Sequence, residues 1–489
     1  MYMGIDLGTS SVKILLMNKS GKIISTLTKT YSISFPKPLW SEQNPNEWWE
    51  VTKTAIKEIL KTQDKSLLKG ISFSGQMHGL VILDENDNVI RPAILWNDQR
   101  TEKECDYLNN TIGKNLISQY TGNIALTGFT APKILWVKNN EHQNFNLIKK
   151  IMLPKDYIAY KLSGVFATDM SDASGTLLFD VKNRTWSKEM LDIIGIYKSQ
   201  LPKLFESYES IGYIKPELAE EFGISKNVKI VIGGGDQAVG AIGTGAVEEG
   251  IISVALGTSG VIFAPFNNYK VVKDNSLHSF AHANGKYHQM GVMLSAAAAF
   301  KWWVETINNT TNYEKINNEI SKINPGSDNL YFLPYLMGER TPHNDVNAKG
   351  CFIGLTLSHT NAHMSRAVIE GVTYGLNDSM EILKNLGINI EKIRISGGGA
   401  KSDIWKQIVA DVFNAKVSTI EVIEGPAYGA AILAAVGCNE YNSVDEACKN
   451  IIKDVETFIP NENNVKIYKE KYKTFATLYP TLKNSFKIL

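Results

Sequence analysis

"MGIDLGTSSVKILLMN" (residues 3–18) and "ISVALGTSGVIFAP" (252–265) carry the same tetrapeptide, Leu-Gly-Thr-Ser, between two short apolar, β-branched runs. Each reads as a hairpin whose glycine accepts backbone angles that other residues resist. The same glycine removes the side chain that would hold a ligand off. Successive N–H groups of such a turn converge on an anion, and Thr and Ser hydroxyls add donors. One copy alone reads as a tight hairpin and no more. Two copies, about 250 residues apart, predict two related halves whose turns grip a polyphosphate from both sides.

Only the first copy puts an acid, Asp6, just before its turn. A carboxylate beside a phosphate is electrostatically unfavourable unless a cation lies between them, and Mg²⁺ with its water shell is the usual one. The plainer reading of Asp6 is an edge-strand acid facing solvent.

A chain of 489 residues is too long for one core and fits two domains, divided here as 1–243 and 244–489. With a net charge of +1 and 21% charged residues, nothing points to a partner held by charge, so neither nucleic acid nor an anionic membrane is expected. The four cysteines form no C-x-x-C pair and lie at no zinc spacing from a histidine. Asp6 interrupts the first apolar run, which argues against a signal peptide, and "GPAYGAAILAAVGC" (425–438) is too short to span a bilayer. A cytoplasmic protein is expected.

Along the chain, the first thirty residues read as a β-meander. Asn44, Pro45 and Glu47 write a helix start, with Glu47 closing a capping box, and Trp48, Val51, Ala55, Ile56, Ile59 and Leu60 follow at helical spacing. Core packing is the expected use of Trp48 and Trp49. Residues 70–83 read as strand, loop, strand. Residues 228–247 read as a buried strand, a glycine turn and a helix of small residues. In 392–417 a strand meets Gly397-Gly398-Gly399, which is expected to open a helix bearing Ile404, Trp405, Ile408, Val409, Val412 and Phe413 on one face. A nucleotide would lie well against that helix N-terminus.

No Walker A loop is present. A G-x-G-x-x-A match at Gly233, Gly235 and Ala238 is discounted, because Asp236 would sit where a pyrophosphate must bind. Asp236 is the more telling residue. Three glycines before it leave little bulk to shield it, and a recessed carboxylate can take the proton of an alcohol attacking a phosphoryl group. Asp is also a good helix N-cap, and local sequence leaves both roles open.

Taken together and in this order, these pieces resemble the FGGY family of carbohydrate kinases. The resemblance covers essentially the whole chain. It implies two ribonuclease-H-like α/β domains, of the actin, sugar-kinase and heat-shock ATPase superfamily, around a central cleft that holds ATP and Mg²⁺. "DLGTSSVK" resembles the first phosphate loop, with Thr9, Ser10, Ser11 and Lys13 on the nucleotide. "LGTSG" resembles the second, with Gly257 and Thr258, and "SGGGAKSD" the adenosine turn, with Gly398, Gly399 and Asp403. "FTAPKILWVKNNE" (129–141) is similar to an N-terminal signature.

"SGQMHGLV" (74–81) and "GERTPH" (338–343) look like the members that phosphorylate D-xylulose. The resemblance then implies that Met77 and His78 line the sugar pocket, that Asp236 is the general base, and that Asp6 serves Mg²⁺–ATP. Gln237 departs from the pattern, which often has Asn there, so it bears on how sugar hydroxyls are held. For Arg340, phosphate contact and an ion pair with Glu339 both stay open, and for Trp96 and Asp98 bordering the sugar and a structural role both stay open. Homodimers are common among the proteins it resembles, although nothing in the sequence fixes an assembly.

Overall fold

The computed structural model describes residues 1–489 and builds its main strands into two seven-stranded mixed sheets. The first runs Ser210–Tyr213, Lys229–Val231, Gly70–Gly75, Tyr2–Leu7, Ser11–Met17, Ile23–Thr30, with Gly234–Gly235 added beside Gly70–Gly75. The second runs His278–Ala281, Tyr287–Met293, Gly260–Phe266, Ile251–Leu256, Lys392–Ser396, Lys416–Ile420, Asp454–Phe458.

Six strands of one sheet answer six of the other. In each, an antiparallel hairpin continues into a third antiparallel strand. On the other side, the first hairpin strand runs parallel to two later strands, and an antiparallel strand follows. The repeated tetrapeptide therefore marks a duplicated sheet, and the two-lobed α/β fold is as expected. Leu7 pairs with Val12 and Leu256 with Gly260, so Gly8–Ser11 and Gly257–Ser259 are the turns.

Helix Pro45–Leu60 starts at Asn44, whose side chain accepts from the Asn46 amide at 3.0 Å, and it buries Trp48, Trp49, Ile56 and Ile59 in the first core. The expected capping box does not form. Glu47 instead accepts from the Ser32 amide at 3.2 Å and from its hydroxyl, a partner that only the tertiary fold brings near.

The triple glycine likewise does not open the α-helix. Gly397, at φ 89°, lies so close to Leu256 and Gly257 that a Cβ there would stand 2.6 Å from the Leu256 carbonyl. A short 3₁₀ turn, Gly398–Lys401, follows, and the helix Asp403–Phe413 begins only after its own cap, Ser402. Glycine here serves close approach to the neighbouring hairpin rather than helix initiation.

Between the sheets lie helix Asp236–Thr244 and helix Gly425–Gly437. They touch backbone to backbone: a Cβ on Gly429 would overlap the Val239 carbonyl, and one on Gly243 the Gly425 carbonyl. Helix Gly425–Gly437 also crosses the first sheet, where a Cβ on Gly4 would overlap the Ala427 carbonyl. Its residues share one apolar cluster with Tyr2, Leu15 and Met17. No helix is long and apolar enough to cross a membrane.

Candidate active site

Strand Gly70–Gly75 runs directly into Gln76-Met77-His78-Gly79. The Gln76 amide donates to the Leu7 carbonyl at 2.9 Å, which fixes the loop beside the first hairpin. His78 adopts a left-handed φ of 69°, and its Nδ1 lies 2.6 Å from the Gly175 carbonyl. Lys133, buried, donates to the His78 carbonyl at 2.8 Å and to that of Gly128 at 2.7 Å. Two glycines make room for the loop. A Cβ on Gly175 would lie 2.5 Å from His78 Nδ1, and one on Gly235 would lie 2.9 Å from Met77 Sδ. Met77 is thus packed on the turn carrying Asp236 and His78 on Gly175, with Met77 only 5% exposed.

Asp236 is the first residue of its helix. The cap position is Gly235, which makes no side-chain bond, so the N-cap reading of Asp236 is set aside. Burial lifts the Asp236 carboxyl to about 7, and the Asp6 charge adds to the lift. Asp6 itself is raised to about 6 by burial, against the pull of the Ser74 hydroxyl and the Lys13 ammonium. Gln237 follows Asp236 in the first helical turn, partly exposed. Behind the turn stands a hydrogen-bonded chain in the stretch "TDMSDASGT" (168–176), whose residues had no assigned role. The Gly235 amide donates to Ser171 Oγ at 3.2 Å, and Ser171 Oγ donates to Asp169 at 2.5 Å.

The first hairpin is braced from beneath. Gln43 donates to the Thr9 carbonyl at 2.7 Å, Trp96 Nε1 donates to Thr9 Oγ1 at 3.0 Å, and Tyr31 donates to the Gly8 carbonyl. Ser10 is exposed at the tip and Ser11 partly so. The Lys13 ammonium sits 2.6 Å from Glu424, an ion pair between the halves with both side chains about one-third exposed. Asp98 is structural: it accepts from the Ser41 amide at 2.6 Å and pairs with Arg100 at 2.7 Å.

On the second half, Gly257, Thr258, Gly398, Gly399 and Asp403 line one cavity of about 1370 Å³. A Cβ on Gly398 would meet nothing within 4 Å, so backbone is open to a ligand there. Ala298, Tyr313, Asn317 and Trp405 complete the wall. The Asp403 carboxylate is exposed and pairs with Lys406 at 2.9 Å. Thr9, Ser10, Ser11, Lys13, Asp6 and Asp236 do not line this cavity.

The fit of a divalent cation rests on Asp6. Its Oδ1 is buried with no hydrogen-bond partner, an arrangement that suits a cation or its water. No group of three or more His, Cys, Asp or Glu is placed to hold a metal, so a cation at Asp6 would take most of its ligands from outside the protein, as Mg²⁺ commonly does.

A nucleotide-sized cavity in one lobe and a recessed carboxylate in the other define a kinase for small molecules. The chain belongs to the FGGY family of carbohydrate kinases, whose N-terminal domain matches residues 1–243 and whose C-terminal domain matches residues 252–438. It is similar to a xylulose kinase of Staphylococcus xylosus, at 42% identity over 97% of this chain and 99% of that protein. Among solved structures it resembles a xyloylose kinase from Brucella ovis, at 38% identity and a TM-score of 0.94, covering 99% of each chain. A gluconate kinase from Lactobacillus acidophilus is superposable with a TM-score of 0.95 at 28% identity, over 99% of this chain and 98% of that one. The fold alone therefore does not choose the sugar.

Proposed function

We propose that this chain transfers the γ-phosphoryl group of ATP to the terminal O5 hydroxyl of D-xylulose. The observation that carries the reading is the packing of Met77 onto the turn that presents Asp236, with His78 beside it on Gly175. A sugar bound by that loop has its hydroxyl at a carboxylate whose pKa burial has raised to about 7. The near-full-length likeness to a protein named xylulose kinase supports the choice of acceptor.

In this reading ATP occupies the cavity of the second lobe, its adenosine against Gly398 and Gly399 and its phosphates toward Gly257 and Thr258. Thr9, Ser10, Ser11 and Lys13 meet the phosphates from the first lobe. Asp6 would hold Mg²⁺, which when bound neutralises phosphate charge. Asp236 takes the proton of the O5 hydroxyl as oxygen bonds to the γ-phosphorus, and the bond to the β-phosphate oxygen breaks to release ADP. Turn amides and hydroxyls of both hairpins stabilise charge on the equatorial oxygens. Gln237 helps to hold the sugar hydroxyls.

ADP release measured over a panel of ketoses, polyols and aldonic acids tests the reading. D-xylulose should give the highest kcat/KM, and ATP consumption without sugar should be slow. A clear preference for another member of the panel would overturn the acceptor. Asp236→Ala should lose at least about 10²-fold in kcat while still binding ATP.

A further inference from the structure

The backbone of Arg340 is hydrogen-bonded, but its guanidinium is not paired. It was expected either to meet phosphate or to pair with Glu339, and the ion pair does not form. The Glu339 carboxylate is occupied by the backbone amides of Leu294 at 3.0 Å and of Arg340 itself at 2.7 Å. The only hydrogen bond of Arg340 to Glu339 is made by its backbone, and its guanidinium enters no ion pair. The guanidinium is partly exposed, and the nearby Glu339 charge favours it without closing an ion pair, so its donors stay free for a ligand acceptor. Five donors and no acceptor make it a reader of oxygens.

Its position is well fixed. The next residue, Thr341, donates its amide to the Val292 carbonyl at 3.0 Å and accepts from the Val292 amide at 3.1 Å, so the loop is pinned to strand Tyr287–Met293. The adjoining strand carries His278 and Phe280, whose rings stack 5.4 Å apart. Phe129 bridges the lobes, 5.7 Å from His278 and 4.8 Å from His78. The Arg340 charge is felt by both His78 and His278. Arg340 does not line the nucleotide cavity.

His78 supplies the complementary half. The Gly175 carbonyl can only accept, so Nδ1 of His78 carries the proton and Nε2 is left as an acceptor with no protein partner. Burial keeps the ring neutral. The sugar side of the cleft therefore offers one acceptor from the first lobe and one donor fork from the second.

We propose that Arg340 is a substrate-contacting residue that selects ketoses, donating to the sugar's carbonyl oxygen while His78 Nε2 accepts from the neighbouring hydroxyl. An α-hydroxyketone presents that acceptor–donor pair. The alcohol obtained by reducing the carbonyl keeps a lone pair there, but brings a proton that a donor-only group cannot accept. The assignment rests on the ketose reading given above and adds to it the residue that enforces it.

The test compares wild type, Arg340→Gln and Arg340→Lys on D-xylulose and on its two C2 alcohols, xylitol and D-arabitol. The alcohols are assayed as inhibitors where they are not turned over. Arg340→Gln should lose on the order of 10- to 100-fold in kcat/KM for D-xylulose, mainly through KM. The constants for the alcohols should move less than about threefold, and KM for ATP should not change. Arg340→Lys, which keeps the charge and loses the fork, should fall between. Equal losses on ketose and alcohols in the folded variants, or a loss confined to the ATP KM, would overturn the assignment. A wild type that does not phosphorylate D-xylulose would instead overturn the reading beneath it. Thermal midpoints confirm folding, and if Arg340→Gln does not fold, Arg340→Lys alone must show the ketose-selective loss.

Discussion

Met77 occupies the space that any side chain at position 235 would need, since a Cβ on Gly235 would stand 2.9 Å from both its Cγ and its Sδ. The loop Gln76–Gly79 and the turn carrying Asp236 are thereby one packed unit. A change in either moves the other.

Gly235→Ala should therefore injure sugar chemistry and spare the cavity of the second lobe, which Gly235 does not line. Overpacking of this kind costs about 1–3 kcal/mol, and a displaced acceptor can lose about 10²-fold in rate. We expect kcat/KM for the sugar to fall at least tenfold with ATP affinity unchanged. The double variant with Met77→Ala should recover thermal stability, because the methionine is what the new methyl meets. No recovery would mean that the collision lies elsewhere.

Asp236 predicts a stability signature of its own. Its folded pKa, about 7, lies above the ordinary 3.8, so the folded state holds the proton more tightly than the unfolded chain. That contribution is fully present below about pH 4 and is lost as pH rises through about 7. Burial is the main cause, Asp6 adds its charge, and Asp172 feels Asp236 in turn. In metal-free buffer Asp236→Asn should gain about 4 kcal/mol over wild type at pH 8, and the gain should shrink toward pH 5. Urea titrations at the two pH values measure this. An Asn variant less stable than wild type at pH 8 would contradict it.

Lys13 pairs with Glu424 at 2.6 Å and keeps two further ammonium donors free for a phosphate. Their pair is about one-third exposed, so its loss costs at most about 1 kcal/mol. Glu424→Gln should leave the thermal midpoint nearly unchanged and should not weaken ATP. Lys13→Met should raise KM for ATP about tenfold. If both variants weaken ATP alike, Lys13 acts through the pair and not through phosphate.

Ser171 holds the backbone that carries Asp236. Ser171→Ala strips the buried Gly235 amide of its acceptor, at about 1–3 kcal/mol, and frees the turn to shift. The loss should appear in kcat for the sugar reaction with little change in the ATP KM. A variant that loses only stability would reduce Ser171 to a structural bond.

The sequence was most readable where structure is local. Gly8 and Gly257 announce hairpins because a turn is decided by the residues within it. Asp236 stands out because glycines precede it. What failed depended on partners that spacing does not show: Glu47 was claimed by Ser32 rather than Asn44, and Glu339 by the Leu294 and Arg340 backbone amides rather than by the Arg340 guanidinium. Tyr313 and Asn317 gave no signal as cavity wall, since nothing in a short amphipathic helix says which hollow it borders. Ser171 lies 64 positions before the amide it accepts from, beyond the reach of any spacing rule.

Helix Gly425–Gly437 belongs to the later part of the chain yet roofs the first sheet. A gene cut after residue 243 would consequently yield a fragment lacking its own roof, with Tyr2, Leu15 and Met17 stripped of their cover. Such a piece should precipitate or recruit chaperones. Supplying residues 425–437 as a tethered segment should rescue it, which makes the protein a poor candidate for dissection and a good one for circular rearrangement.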